Sequence, residues 1–239
     1  MTTPPCNEAL LAAMEATWPP ASSRRLGPWR LRDGAGGGKR VSAATVEGDW
    51  HPDDIARAAA AMTPPLFMLR PQDAALDAAL AAQGYRLLDP VVLYAAPLDA
   101  FAPSPPTTLA HWPPLPEAAQ LWALSGIGPA RLAVMQRAAT AKTVLLARKD
   151  GVAAGVAFVA VHDGIAMLHA LDVSPPHRRQ GFAQILLGDA AQWSAGHGAV
   201  RLALAVTETN LPARRLYQKL GMNAVTRYHY RQHVPDQPL

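Results

Sequence analysis

The stretch Leu171 to Leu187, LDVSPPHRRQGFAQILL, constrains this chain more than any other. An apolar, β-prone run ends at Val173. Pro175 and Pro176 then remove two backbone donors and stiffen the exit. Arg178-Arg179-Gln180-Gly181-Phe182-Ala183 opens a run of helical apolar spacing that reaches about Gly196. The first N–H groups of a helix lack internal acceptors, and the helix dipole places partial positive charge there. Gly181 lets backbone approach a ligand closely, and the small Ala183 leaves room for the same approach. Arg178 and Arg179 add fixed positive charge. Such a strand, loop and helix make a nest suited to a pyrophosphate. The short pattern R-x-x-G-x-[GA] has a bland competitor, an ordinary β–α turn with a solvated arginine pair.

The surrounding elements favour the nest. Glu117 to Leu124 reads as a helix, interrupted at Ser125-Gly126-Ile127-Gly128, and Pro129 suits the first turn of another helix reaching about Ala139. Thr143 to Arg148, Val152 to Val161 and Ile165 to Val173 read as strands. Asp150-Gly151 and Asp163-Gly164 are hairpin turns between them. After the 181–196 helix come a buried strand, Val200 to Val206, a helix, Pro212 to Leu220, stopped by Gly221, and a strand from Met222 to Tyr230. The order is α-α-β-β-β-α-β-α-β.

Upstream, Trp29 to Arg32 and Lys39 to Val46 read as strands around a glycine-rich turn. Pro52 to Met62 reads as a helix with Asp53 and Asp54 in its first turn. A strand at Leu66 to Leu69, an alanine-rich helix at Gln72 to Gln83 and an extended run from Tyr85 to Tyr94 follow. LAAQGYRLLDPVVLY and YQKLGMNAVTRYHY share a helix–glycine–strand pattern, which points to a duplicated fold. Residues 97–116 are proline-rich without periodicity and read as a semi-rigid linker.

Composition narrows the function classes. Half the residues are hydrophobic and 17% are charged, which excludes a disordered chain. A single cysteine, Cys6, excludes a disulfide framework and a multi-cysteine zinc site. No apolar run is long enough to span a membrane, and no signal peptide is visible, so a cytoplasmic protein is expected. The net charge is +4. Its arginines are paired but not gathered into the basic stripe that nucleic acid requires. A small anionic ligand fits that charge. His111, His197, His229 and His233 lack metal-ligand spacing, and no metal is expected. His162 reads as an exposed turn residue.

HRRQGFA resembles the acyl-CoA pyrophosphate loop of the GNAT superfamily of N-acetyltransferases. Asn210, Ala213, Leu216-Tyr217, Lys219 and Gly221-Met222 resemble that family's second signature, N-x-x-A-x-x-L-Y-x-K-x-G-[FM]. The resemblance covers about residues 114–234 and includes the element order. It implies an α/β GNAT fold, a mixed and mostly antiparallel sheet flanked by helices, in two tandem GNAT-like domains. Residues 1–98 would be a degenerate copy, 99–113 the linker and 114–239 the catalytic domain. The segment between Val46 and Asp53 falls where the first copy's phosphate loop would lie and lacks R-x-x-G-x-[GA].

The resemblance also implies the chemistry. An acceptor amine attacks the thioester of acetyl-CoA directly, a base removes a proton, and an acid protonates the leaving thiolate. Acetyl-CoA would lie against Leu171, Asp172, Val173, Arg178, Arg179, Gln180, Gly181, Phe182, Ala183, Asn210, Ala213 and Tyr217. Tyr217 occupies the position of the acid in many members, and its competing role is to pack its helix on the sheet. No motif assigns the base. His169 and Glu208 are candidates, and a hydrogen-bonded histidine in a half-buried strand is an equal reading of the first. In a regular strand His169 and Asp172, three positions apart, point to opposite faces. The acceptor would be a small-molecule or peptide amine, and a homodimer is an open assembly. Two alternatives stand beside catalysis: an acyl-CoA-binding or regulatory module without turnover, and a nucleic-acid binder. The latter would use LSGIGPARLA, where Gly126 to Ala133 resembles a helix-hairpin-helix turn whose backbone contacts phosphate. In the GNAT family the same loop borders the acceptor pocket.

Overall fold

A computed structural model describes residues 7–101 and 107–233. In chain order the elements are α1 (Asn7–Thr17), β1 (Ser22–Leu26), β2 (Trp29–Asp33), β3 (Thr45–Val46), α2 (Pro52–Ala60), β4 (Leu66–Leu69), α3 (Ala74–Ala82) and β5 (Tyr85–Pro97). There follow β6 (Leu109–His111), α4 (Pro116–Leu124), α5 (Pro129–Arg137), β7 (Lys142–Lys149), β8 (Val152–His162), β9 (Ile165–Val173), α6 (Phe182–Ala195), β10 (Arg201–Thr207), α7 (Leu211–Lys219) and β11 (Asn223–His233). They form two compact units. Among the described residues, one unit holds 7–19, 93–206 and 210–225, and the other holds 20–92, 207–209 and 226–233.

Neither unit is one continuous stretch, so the division does not coincide with the linker expected at 99–113. α1 belongs with the later half of the chain, and the end of β11 belongs with the earlier half. Residues 102–106 of that linker lie outside the described residues. Leu109–His111, expected as linker, instead form a strand paired antiparallel to β7. The run Lys39 to Val46, expected as one strand, is a 3-10 turn at Lys39–Val41 followed by the two-residue β3.

In the first unit the strands lie in the order β5-β10-β9-β8-β7-β6. The β6–β7, β7–β8 and β8–β9 pairs are antiparallel, and β9–β10 is parallel. The sheet is thus mixed and mostly antiparallel, flanked by helices. Its hairpins turn at Asp150-Gly151 and Asp163-Gly164, where all four residues take positive φ as the favoured two-residue turn demands. α6 packs against β7, β8 and β9. It approaches closely at Gly155, where a Cβ would stand 3.1 Å from Leu186 Cδ1 and 3.2 Å from the Asp172 carbonyl oxygen.

α1 also packs on β8 and β9. Its buried residues Leu10, Ala13, Met14 and Thr17 follow helical spacing, and Pro19 and Pro20 stop it. Burying Leu10 and Met14 is worth roughly 1.5–3 kcal/mol each. Asp189 of α6, almost fully buried, accepts hydrogen bonds from the backbone N–H groups of Thr107 (3.0 Å) and Thr108 (2.8 Å), which tether the lead into β6.

In the second unit β1, β2 and β3 form an antiparallel sheet, and β4 pairs antiparallel with the end of β11, Leu69 opposite His229. Its core is Trp29, Ile55, Phe67, Leu69, Leu76 and Leu80, with Trp29 and Phe67 in edge contact at 5.1 Å.

Candidate active site

The ladder between β9 and β10 runs from Ile165–Arg201 to Leu168–Leu204 and then stops. Residues 169–173 of β9 therefore continue without that neighbour's register, and their outer edge is available to a ligand. Just before this stretch turns into the loop, β9 carries a bulge. Val156 and Phe158, two apart on β8, pair with Asp172 and His169, three apart on β9. Ala170 takes φ 51°. The extra residue reverses the alternation of side chains. His169 and Asp172 consequently share a face, which corrects the expectation that they point apart.

The loop that follows is tied down internally. Ser174 Oγ lies 2.7 Å from His177 Nδ1. Arg178 Nε donates to the Val173 carbonyl at 3.1 Å, holding its guanidinium beside the strand end. Gln180 Nε2 donates to the Pro176 carbonyl at 2.9 Å, and its Oε1 accepts from Lys149 Nζ at 2.7 Å. Arg179 and Gly181 both take positive φ, 60° and 88°. Gly181 is the N-cap of α6, and a Cβ there would meet nothing within 4 Å. The loop thus turns into α6 at Gly181, and the first N–H groups of that helix, from Phe182 and Ala183 onward, have no acceptor within the helix.

α7 begins differently from what the motif alone implies. Asn210 is its N-cap, and the side-chain oxygen accepts from the Ala213 N–H at 3.2 Å. This cap occupies one acceptor of Asn210. One turn further, Tyr217 is 6% exposed and its ring lies 5.9 Å from that of Tyr94. Arg214 Nε donates to Tyr94 Oη at 3.3 Å. Burial pushes the Tyr217 phenol up from 10.0 to about 12. A phenol in water sits near 10.

The two candidate bases sit in contrasting places. His169 is 5% exposed, its Nε2 2.9 Å from Thr17 Oγ1 and its ring 4.9 Å from that of Trp18. Glu208 is half-buried in the turn joining β10 to α7, where its N–H donates to the Pro90 carbonyl at 2.7 Å. On the His169 face, Trp122 of α4 donates its indole N–H to the Ala170 carbonyl at 2.7 Å, and the hydroxyl of Ser125 donates to Asp172 Oδ2. Sequence reasoning missed Thr17 and Trp122 as neighbours of the site; the signal for them was the apolar period of α1 and α4. Ser125 belongs to the loop that the resemblance set beside the acceptor pocket.

Among the described residues, the second unit lacks a comparable nest. At the start of α2, Asp54 turns its own carboxylate onto the helix terminus, accepting from the His51 N–H at 2.8 Å and pairing with Arg57. Glu47, on the same approach, lies 3.9 Å from Arg25 and 3.7 Å from Arg30. An internal carboxylate fills the position that an external phosphate would need. A cavity of about 490 Å³ in this unit is lined by Leu31, Arg32, Gly34, Ser42 and Met62, at the opposite end of α2 from Asp54.

Comparison with known proteins agrees with this geometry. Residues 104–222 match the model of the acetyltransferase (GNAT) family. The uncharacterized N-acetyltransferase YobR of Bacillus subtilis (strain 168) is 34% identical over 73 residues, 30% of this chain and 30% of that protein. The streptothricin acetyltransferase of Streptomyces lavendulae is 32% identical over 85 residues, 35% of this chain and 45% of that protein. The chain thus spans less than half the length of the curated relatives it matches. A GCN5-related N-acetyltransferase from Kribbella flavida has the same fold, with a TM-score of 0.69 at 19% identity over 96% of this chain and 95% of that one. A tandem GNAT protein from the clavulanic acid biosynthesis pathway aligns with a TM-score of 0.55 at 17% identity, over 99% of this chain and 91% of that one. The nest at the start of α6, the second signature on α7 and the family match converge on one assignment: the chain belongs, through residues 104–222, to the GNAT acetyltransferase family.

Proposed function

We propose that this protein transfers an acetyl group from acetyl-CoA to a primary amine of a small molecule or peptide. The observation that carries this reading is the pairing of the α6 nest with the edge of β9 beyond Leu168. The nest takes the pyrophosphate, and the backbone of Leu171, Asp172 and Val173 takes the extended arm that leads to the thioester. Arg178 and Arg179 contribute charge, while Phe182 and Ala183 supply helix N–H groups. Residues 20–92 act as a degenerate copy of the fold whose nucleotide position is closed by Asp54.

In the reaction the amine nitrogen attacks the thioester carbonyl. A C–N bond forms, the C–S bond breaks, and the sulfur leaves with the electron pair. We assign removal of the amine proton to Glu208, since His169 is engaged beneath α1. Tyr217 stabilises the departing sulfur as a hydrogen-bond donor. With the phenol at about 12 and a thiol near 8.5, full proton transfer is uphill by about 5 kcal/mol. The phenol keeps its proton, and the thiolate is protonated from solvent.

Calorimetric titration with acetyl-CoA tests the donor. One site per chain is expected, with binding strongly weakened in Gly181→Val. Two equivalent sites, or an unaltered affinity in that variant, would refute the reading.

A further inference from the structure

The bulge at Ala170 brings one carboxylate into an unusual position. Asp172 lies in the part of β9 that has left β10, half-buried, on the face that carries His169. Its carboxylate is bound by the hydroxyl of Ser125, the first residue after α4. Among the described residues no lysine or arginine pairs with it. A carboxylate offers about four acceptor positions, and a single neutral hydroxyl satisfies one.

Ser125 is the exposed C-cap of α4, its N–H held by the Trp122 carbonyl at 3.0 Å, so its hydroxyl can rotate off the carboxylate without any backbone movement. It opens the segment Ser125-Gly126-Ile127-Gly128, in which Gly126 has φ 77° and neither glycine's Cβ would meet any atom within 4 Å. Behind it, Trp122 is fully buried and holds the bulge through the Ala170 carbonyl. The fixed part of this arrangement therefore presents the carboxylate, and the exposed part covers it.

We propose that the Ser125–Asp172 pair is the cation site for the acceptor: Asp172 receives a protonated amino group, and Ser125 holds the carboxylate until that group arrives. This rests on the N-acetyltransferase reading above. An ammonium brings three donors and a full charge, and charge-assisted hydrogen bonds are roughly twice as strong as neutral ones. The exchange of Ser125 for an ammonium is favourable, whereas a neutral hydroxyl or amide gains nothing by it. The site accordingly selects compact cationic amines and rejects neutral or acidic molecules of the same size.

The test uses the full chain, NMR titration at low ionic strength where the charge is least screened, and two probes of equal length: 1,4-diaminobutane and 1,4-butanediol. The unaltered protein is expected to bind the diamine about tenfold more tightly than the diol, the value of one charge-assisted hydrogen bond. Asp172→Asn should abolish the preference. Ser125→Ala keeps the carboxylate and removes its competitor, so the diamine should bind more tightly than to the unaltered protein. That second variant decides the question if Asp172→Asn does not fold. Equal binding of both probes, binding of neither, a preference that survives Asp172→Asn, or weaker diamine binding in Ser125→Ala would each overturn the proposal. Acetyl-CoA titration of the same sample judges the donor separately, so failure of the cation site and failure of the acetyltransferase reading are distinguishable.

Discussion

The hydroxyl of Thr17 lies 2.9 Å from Nε2 of His169, a residue 152 positions away, and 2.7 Å from the carbonyl of Ala13. A hydroxyl has one proton, and the Ala13 carbonyl can only accept. The proton therefore goes to Ala13, and His169 must donate from Nε2. The imidazole nitrogen that faces α1 already carries its hydrogen and cannot act as a base. Thr17→Val removes this acceptor from the buried His169 ring, at a cost of about 1–3 kcal/mol. Chemical denaturation should show that loss as a lower midpoint with an unchanged slope. A midpoint equal to that of the unaltered protein would show that the contact contributes nothing.

Removing the base distinguishes the two candidates further. Glu208→Gln keeps the shape of the turn and removes the proton acceptor, so kcat should fall by about 10²–10⁴-fold. His169→Gln should act mainly on stability and leave the pH–rate profile in place. Loss of the acidic limb of that profile in His169→Gln, with little effect from Glu208→Gln, would reverse the assignment.

Gly181 carries the donor prediction. At φ 88° a side chain is strained by about 1–2 kcal/mol before any ligand is present. Valine also adds branched bulk at the N-cap of α6, where backbone must approach the ligand. Acetyl-CoA affinity should fall at least about tenfold, equivalent to 1.4 kcal/mol. Asp54→Asn, by contrast, should leave the stoichiometry at one, because Glu47 and Asp53 still make the start of α2 acidic. A second site appearing in that variant would mean that the Asp54 charge alone had closed it.

Much of the second half was legible because its signals are local. Asp150-Gly151 and Asp163-Gly164 need only their own φ angles, and Ile165 to Val173 is bounded by turn residues on both sides. The nest is legible for the same reason, since proline, arginine and glycine act within a few positions. The pairing of Thr17 with His169 has no local signature, because a helix carries no record of which strand it will cover. Strand β6 is three residues long inside a proline-rich segment, too short for a period to emerge. Ala170 gives no warning of φ 51°, which alanine seldom adopts, so the shared face of His169 and Asp172 could not be read. The division of β5 and β11 between units depends on partners distant in sequence.

Burial of Tyr217 predicts a pH dependence of stability. Its folded pKa is raised to about 12 from 10.0. Below pH 10 both states hold the proton, and the contribution is fully present. Between pH 10 and 12 the unfolded chain releases the proton while the folded one retains it, so stability falls as pH rises. The slope approaches about 1.4 kcal/mol per pH unit, a total of roughly 2–3 kcal/mol. Tyr217→Phe lacks this group, while Tyr230, also raised, is common to both proteins. Denaturation midpoints at pH 9.5 and 11.5 should therefore drop further in the unaltered protein than in Tyr217→Phe. Parallel drops would place the phenol in water.

The same phenylalanine variant tests the chemistry. Departure of the sulfur builds negative charge that the neutral thioester lacks, so a hydrogen bond from Tyr217 is worth more in the transition state than before it. Tyr217→Phe keeps the ring beside Tyr94 and removes only the donor. A single donor to developing charge contributes about 10²–10³-fold where it is preorganised in a dry site. Both kcat and kcat/KM should fall together, the pattern of an interaction made mainly in the transition state. Slow product release can mask the loss in steady state, so single-turnover acetyl transfer is the proper measurement. The rate of the unaltered protein should also show no downturn near pH 10, because a phenol at about 12 is still protonated there. A native single-turnover rate in Tyr217→Phe would reduce the tyrosine to a packing residue of α7, and the stabilising donor would have to be sought elsewhere along the β9 edge.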